Sequence, residues 1–241
     1  DWGLQPLSLG TTGQTWETLN GAQVCVRAMQ DPSLDAAIEP GATLREVQWG
    51  VADAASLQQL HQQLQAMPGF QSQGMDTAGV SPDARVSCLD PHGLRQVFAM
   101  SLKRPVDVRG AAANAYGDIR RVDQASPVYE RAMPVDIGHV VLFTDRLQAA
   151  EDFYQALGFV TSDRYPGRGV FMRCAPQAGH HDVFLLQVPG KAMGLNHVAF
   201  TVRDIHEVFG GGLHMGRCGW KTQLGPGRHP VSSAYFWYFE N

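Results

Sequence analysis

Gly194-Leu195-Asn196-His197-Val198-Ala199-Phe200-Thr201-Val202 is a β-rich run with a histidine in its middle, and a run of the same kind stands earlier as Ile137-Gly138-His139-Val140-Val141-Leu142-Phe143-Thr144. Two histidines thus occupy equivalent points of two similar strands. Neutral imidazole is the commonest protein ligand for a transition metal, and a pair carried on rigid strands can form half of an open-sided metal site. A lone histidine on a strand is more often a hydrogen-bonded structural residue. Its repetition at one register, with His180, His181 and His229 also in this half of the chain, moves the balance toward a ligand pair.

Working outward, the run Glu46-Val47-Gln48-Trp49-Gly50-Val51-Ala52-Asp53 aligns with His197-Val198-Ala199-Phe200-Thr201-Val202-Arg203-Asp204, and its histidine position is Glu46. Asp53 is placed to cap a helix whose apolar residues Leu57, Leu60, Leu64 and Met67 recur at three and four residues. Leu147, Ala150, Phe153 and Leu157 repeat the pattern before Gly158, a helix stop. Val86 to Gly93 reads as strand and tight turn, followed by a strand from Leu94 to Met100. Shorter strand-like runs lie around Trp16 to Leu19 and Gln23 to Arg27. The opening residues, Asp1 to Pro6, read as the end of a helix, so a strand and most of a helix are expected ahead of Asp1.

Four strand–helix–strands units emerge, two on each side of a stretch rich in proline and glycine. The predicted fold class is α+β, with two domains of paired βαβββ modules, each pair forming an incomplete barrel-like funnel. The boundaries are 1–102 for the first domain, 103–135 for the linker and 136–241 for the second domain.

Composition limits the partners. The 241 residues suffice for two domains, and 44% hydrophobic with 17% charged residues describes a globular chain without a bilayer-spanning apolar run. A net charge of −4 without basic blocks argues against nucleic acid and against a membrane surface. Small molecules remain. Cys25, Cys88, Cys174 and Cys218 form no CxxC pair, which argues against a zinc ribbon or a disulfide framework and suits a reducing cytoplasm. These thiols are expected to be buried and inert.

The chain resembles the type I extradiol ring-cleaving dioxygenases of the vicinal oxygen chelate (glyoxalase and bleomycin-resistance) superfamily. The specific part of the resemblance runs from His139 to Tyr238: the Gly-His-Val run, the Asn-His-Val-Ala-Phe run, and Gly225-Pro226-Gly227-Arg228-His229 followed by an aromatic strand. It implies that His139 and His197 are metal ligands, for Fe(II) or less often Mn(II). Two histidines and one carboxylate leave room on such an ion for a chelating catecholate and O2 together. The resemblance further assigns His181 to acid–base work and His229 and Tyr238 to hydrogen bonds with substrate oxygens. A one-residue register error would exchange His181 with His180. Tyr238 taken alone is about equally well read as a core aromatic, and the Gly225-Pro226-Gly227-Arg228-His229 context turns it toward function.

The third ligand is expected about seven residues past Asn241, because Asn241 aligns with Asp90 and the ligand position with Val97. Glu240 is the competing candidate, sharing a strand face with Phe236 and Tyr238. With Glu46 and Val97 at the ligand positions, the first domain is expected to hold no metal. The implied reaction is O2 insertion into a catechol-type ring beside its vicinal diol, by a homo-oligomeric enzyme. The alternatives are a glyoxalase-type isomerase or lyase, and a metal-free binding protein of the bleomycin-resistance kind.

Overall fold

The structure, a computed structural model, describes residues 1–10, 13–76 and 79–240. Its elements in chain order are strands β1 (Gln5–Leu9), β2 (Gly13–Glu17), β3 (Gln23–Arg27) and β4 (Glu46–Val51), helix α1 (Ala54–Leu64), then β5 (Gln71–Asp76), β6 (Gly79–Leu89) and β7 (Arg95–Met100). The second half runs β8 (Asp136–Phe143), α2 (Leu147–Ala156), β9 (Val160–Tyr165), β10 (Gly169–Arg173), β11 (Val183–Leu186), β12 (Gly194–Thr201), α3 (Ile205–Arg217), β13 (Lys221–Arg228) and β14 (Tyr235–Glu240). The fold is mixed α+β, as the sequence predicts, and its sheets do not close into a barrel.

The βαβββ repeat is explicit in the strand orders. One sheet runs β4-β7-β6-β5, and the other runs β12-β8-β11-β10-β9. In both, the first strand of the module pairs in parallel with its last, β4 with β7 and β8 with β11. A parallel pair needs a crossover, and the helix and hairpin between supply it. The helix starts follow the aligned aspartates. Asp53 Oδ1 accepts from Ser56 N at 2.8 Å, and Asp204 Oδ1 accepts from Glu207 N at 2.9 Å. Gly158 ends α2 with φ 92°, a left-handed turn that favours glycine.

Two compact units result, and they cut across the boundaries read from the repeat. One comprises Arg27–Leu102 with His139–Ala199, so the second and third modules share a core. Leu57, Leu64, Val86, Leu94 and Phe98 are buried there together with Leu142, Tyr154, Phe159, Met172 and Leu185. Trp49 meets Phe159 edge to face with ring centroids 4.9 Å apart, and donates its Nε1 hydrogen to the buried Gln96 Oε1 at 2.9 Å. Arg95 holds the loop before β4 through Asp35, at 2.7 and 3.0 Å.

The other unit comprises Asp1–Val26, Lys103–Gly138 and Phe200–Asn241. Here α3 carries Gly210, Gly211 and Gly212, and a Cβ at Gly212 would fall 2.0 Å from the Trp237 ring. The bare helix face therefore lets β14 lie directly on it. A buried carboxylate, Glu207, accepts from Met133 N at 2.9 Å and from Arg203 N at 2.8 Å, tying residues of the 103–135 stretch to the same helix.

Two expectations are corrected. Of the four thiols only Cys88 is buried, and Cys25, Cys174 and Cys218 are exposed. Cys25 lies on β3, whose residues are mostly exposed, Cys174 just follows β10, and Cys218 caps the end of α3. The run around Trp16 to Leu19 ends as strand at Glu17, because Thr18 turns the chain: Thr18 Oγ1 donates to Asn20 Oδ1 at 2.8 Å and accepts from Ala22 N at 3.1 Å. No helix among the described residues is long and apolar enough to cross a membrane. This says nothing about membrane barrels.

Leu142 is completely buried in the shared core. Leu142→Ala should lower the unfolding free energy by about 2–5 kcal/mol, read from a urea or guanidinium titration monitored by tryptophan fluorescence.

Candidate metal centre

β8 and β12 are neighbours in the five-stranded sheet, and each carries one histidine of the repeated run. The two imidazoles face each other with His139 Nε2 and His197 Nε2 3.3 Å apart. The two nitrogens are close enough for one ion to bind both. The proton on His197 is placed by its neighbour. Asn196 Oδ1 can only accept, so His197 Nδ1–H donates to it at 2.6 Å, leaving the lone pair on Nε2, the atom that faces His139. Asn196 was not singled out in the sequence, although its position directly before the ligand histidine was the available signal.

The strand that presents His197 is held at its start. Glu39 Oε1 accepts from Leu195 N at 2.9 Å and from Thr43 Oγ1 at 2.6 Å. A Cβ at Gly194 would fall 2.3 Å from Glu39 Oε2, so glycine is what admits this carboxylate.

β11 brings the third histidine. Val183 pairs with Val140 in the parallel β8–β11 ladder, and Val140 N donates to Asp182 O at 3.0 Å. His181, just before β11, therefore stands beside His139, with ring centroids 4.1 Å apart and planes tilted by 38°. His180 turns from that contact. Its Nδ1 lies 2.9 Å from His181 Nδ1, and its Nε2 lies 3.9 Å from Asp163 Oδ2.

His229 and Tyr238 belong to the other unit, in the β13–β14 hairpin. His229 Nε2 and Tyr238 Oη share a hydrogen bond of 3.0 Å, and the imidazole stacks on Phe236 with centroids 3.9 Å apart. Burial depresses the His229 pKa below its usual range and raises that of Tyr238, so at neutral pH the pair is an uncharged imidazole and an intact phenol. The Tyr238 hydroxyl is thus engaged with a polar partner, unlike that of a purely packed core aromatic.

Among the described residues, no group of three or more His, Cys, Asp and Glu side chains is arranged to hold a metal. Among the described residues His139 and His197 present the facing imidazole nitrogens, and Glu240 ends β14 as an exposed residue paired with Lys221. Asn241, the alignment point for the third ligand, lies outside the described residues. At the corresponding strand of the second module, Glu46 is exposed and stands 4.0 Å from the Arg85 guanidinium, while Val97 is buried.

Comparison with known proteins agrees with the resemblance read from the sequence. Residues 136–241 match the model of the Glyoxalase/Bleomycin resistance protein/Dioxygenase superfamily. A curated relative, metapyrocatechase 2 of Cupriavidus necator, is 35% identical over 139 residues, covering 57% of this chain and 41% of that protein. The match thus spans about two fifths of the length of that relative. Among solved structures, the Mn(II)-bound glyoxalase of Novosphingobium aromaticivorans superposes with a TM-score of 0.71 at 20% identity, covering 99% of this chain and 70% of that one. A catechol 2,3-dioxygenase gives 0.69 at 18%, covering 100% and 76%. The 2,3-dioxygenase LapB of Pseudomonas sp. KL28 gives 0.66 at 20%, covering 99% and 80%. At these identities the superpositions establish the glyoxalase-type fold.

In the full-length protein, His139→Ala and His197→Ala should each abolish metal retention, measured by elemental analysis after gel filtration. Asn196→Ala should retain both ligands and weaken metal affinity about 10–100-fold in a chelator competition. Full metal content in either histidine variant would reduce that residue to a structural one.

Proposed function

We propose that this chain carries the catalytic residues of an extradiol dioxygenase, which inserts both atoms of O2 into a catechol-type ring next to its vicinal diol. One observation carries this reading: two imidazole nitrogens on adjacent strands face each other across 3.3 Å, with a third imidazole packed against the first. The relative from Cupriavidus necator and the dioxygenase neighbours support it by their names. Homo-oligomeric assembly and a reducing cytoplasm complete the proposal, the latter supported by four free cysteines.

His139 and His197 would hold Fe(II), or less often Mn(II), through Nε2, with a carboxylate beyond the described residues as the third ligand. Such an ion supplies Lewis acidity toward the two diol oxygens and a place for O2. His181 then takes the proton from a catechol hydroxyl onto its imidazole and returns it during ring opening, which a neutral imidazole near physiological pH can do in both directions. His229 and Tyr238 are assigned the hydrogen bonds to substrate oxygens. Both are uncharged at neutral pH, so they would bind those oxygens without competing for the metal's charge.

Metal-replete full-length protein should contain about one Fe or Mn per chain, consume O2 with catechol, a carboxyalkyl catechol or a dihydroxybiphenyl, and release a coloured ring-opened product. His181→Ala should keep its metal and bind the catechol while kcat falls about 10²–10⁴-fold. Absence of O2 uptake with every diol would turn the assignment toward isomerase, lyase or binding chemistry, and undiminished turnover of the variant would remove His181 from proton transfer.

A further inference from the structure

The carboxylate that grips the start of β12 reaches it from far away in the sequence: Glu39 and Leu195 are 156 residues apart. Glu39 lies in the loop between β3 and β4, and that loop is braced before it meets the strand. The buried Arg95 of β7 donates to Asp35 Oδ2 at 2.7 Å and to Oδ1 at 3.0 Å. Arg45 donates to the backbone oxygens of Asp35 at 2.7 Å and Met29 at 3.2 Å. Ile38 and Leu44 pack against the core shared by the second and third modules. Within the loop, Thr43 Oγ1 donates to Glu39 Oε1 at 2.6 Å. Glu39 is therefore offered to β12 by a bracket fixed to β7 and the core, in the same compact unit as His139 and His197.

What the bracket holds is the backbone of a ligand-bearing strand. β12 is the outermost strand in the order β12-β8-β11-β10-β9, so this sheet ladders it along one edge, to β8. Glu39 Oε1 accepts from Leu195 N at 2.9 Å, and a Cβ at Gly194 would fall 2.3 Å from Oε2, so the carboxylate lies directly on the chain. Leu195 stands two residues before His197, about 7 Å along the strand and on the same face. Over two extended residues the backbone has little slack, and a shift at Leu195 is carried to His197. The quantity such a shift changes is the 3.3 Å gap between His139 Nε2 and His197 Nε2. Ligands of one ion have to stay within about 0.5 Å of their working geometry.

We infer that Glu39 is a positioning residue of the metal centre: held by its braced loop, it sets the place of His197 relative to His139 and thereby the affinity of the pair for an ion. The inference rests on the reading of His139 and His197 as metal ligands. Glu39 acts through the Leu195 backbone, as an acceptor for the Leu195 N–H and the Thr43 hydroxyl. The loop that leads into β4 thus takes part in a centre whose ligands lie on β8 and β12, although β4 itself carries Glu46 at its own ligand position.

The test measures Mn(II) affinity of the full-length protein by chelator competition. Glu39→Ala, which removes the acceptor, should weaken Mn(II) binding about 10-fold. Glu39→Gln keeps an acceptor oxygen and should bind Mn(II) as wild type does. Gly194→Ala sets a methyl group against the carboxylate and should weaken binding in the wild-type background while adding nothing to Glu39→Ala, the coupling expected of two groups in contact. Leu57→Ala removes a wholly buried side chain from α1 of the same unit; it should lower the unfolding midpoint and leave Mn(II) affinity of the folded protein unchanged. The visible absorption spectrum of the Co(II)-loaded protein should be altered in Glu39→Ala and restored in Glu39→Gln. Wild-type affinity in Glu39→Ala, no restoration in Glu39→Gln, an additive Gly194→Ala effect, or an equal loss of affinity in Leu57→Ala would each overturn the inference and leave the ligand assignment standing. Failure of wild type to bind either ion would overturn both. Lack of ring cleavage by the metal-loaded wild type would defeat the dioxygenase reading alone, and the affinities would still decide the part played by Glu39.

Discussion

The parallel pairing of β8 with β11 is the constraint on which the candidate centre depends. Strands far apart in sequence are locked at one register, Val140 opposite Val183, by hydrogen bonds that include Val140 N to Asp182 O at 3.0 Å. A slip of one residue would send every side chain of β11 to the other face. At the register observed, the chain entering β11 sets His181 against His139. The apolar residues that alternate with these positions, Val140, Leu142, Val183 and Leu185, are all buried, so the core that stabilises the sheet also enforces the register.

Around this frame, polar groups act by assigning protons. Asn196 leaves His197 with its lone pair on the nitrogen that faces His139. Burial keeps His229 neutral and Tyr238 protonated. Each of these imidazoles is directed by a neighbour or an environment that its own identity does not reveal, and the same side chain can serve as ligand, base or hydrogen-bond partner accordingly. The buried carboxylate of Glu207 and the half-buried one of Glu39 play a plainer part. They hold backbone N–H groups, Glu207 at the α3 start and Glu39 at the β12 start, and so fix where those elements begin.

Much of this was legible in the chain itself. The alternation around His139 and His197, the capping aspartates Asp53 and Asp204, the helical spacing of Leu57 and Leu64, and Gly158 as a stop are local signals, because they depend on residues within a turn or a strand of one another. Repetition of those signals exposed the module plan. The sequence also named His139 and His197 as similar residues in similar runs, and His181 through the family resemblance.

What the tertiary structure alone decided is who touches whom. That the second and third modules share one core, through Trp49 against Phe159, could not be read from a repeat in which every module looks alike. That His181 faces His139 while His180 turns to Asp163 was undetermined by one residue of register, and the β8–β11 ladder settled the geometry. The exposure of Cys25, Cys174 and Cys218 likewise follows from the open face of β3 and from where β10 and α3 end, not from the residue type. The physical reason is common to all three. Local patterns fix φ/ψ and the face a residue presents, whereas contacts between distant segments depend on how those faces pack, and that is decided by the whole chain at once.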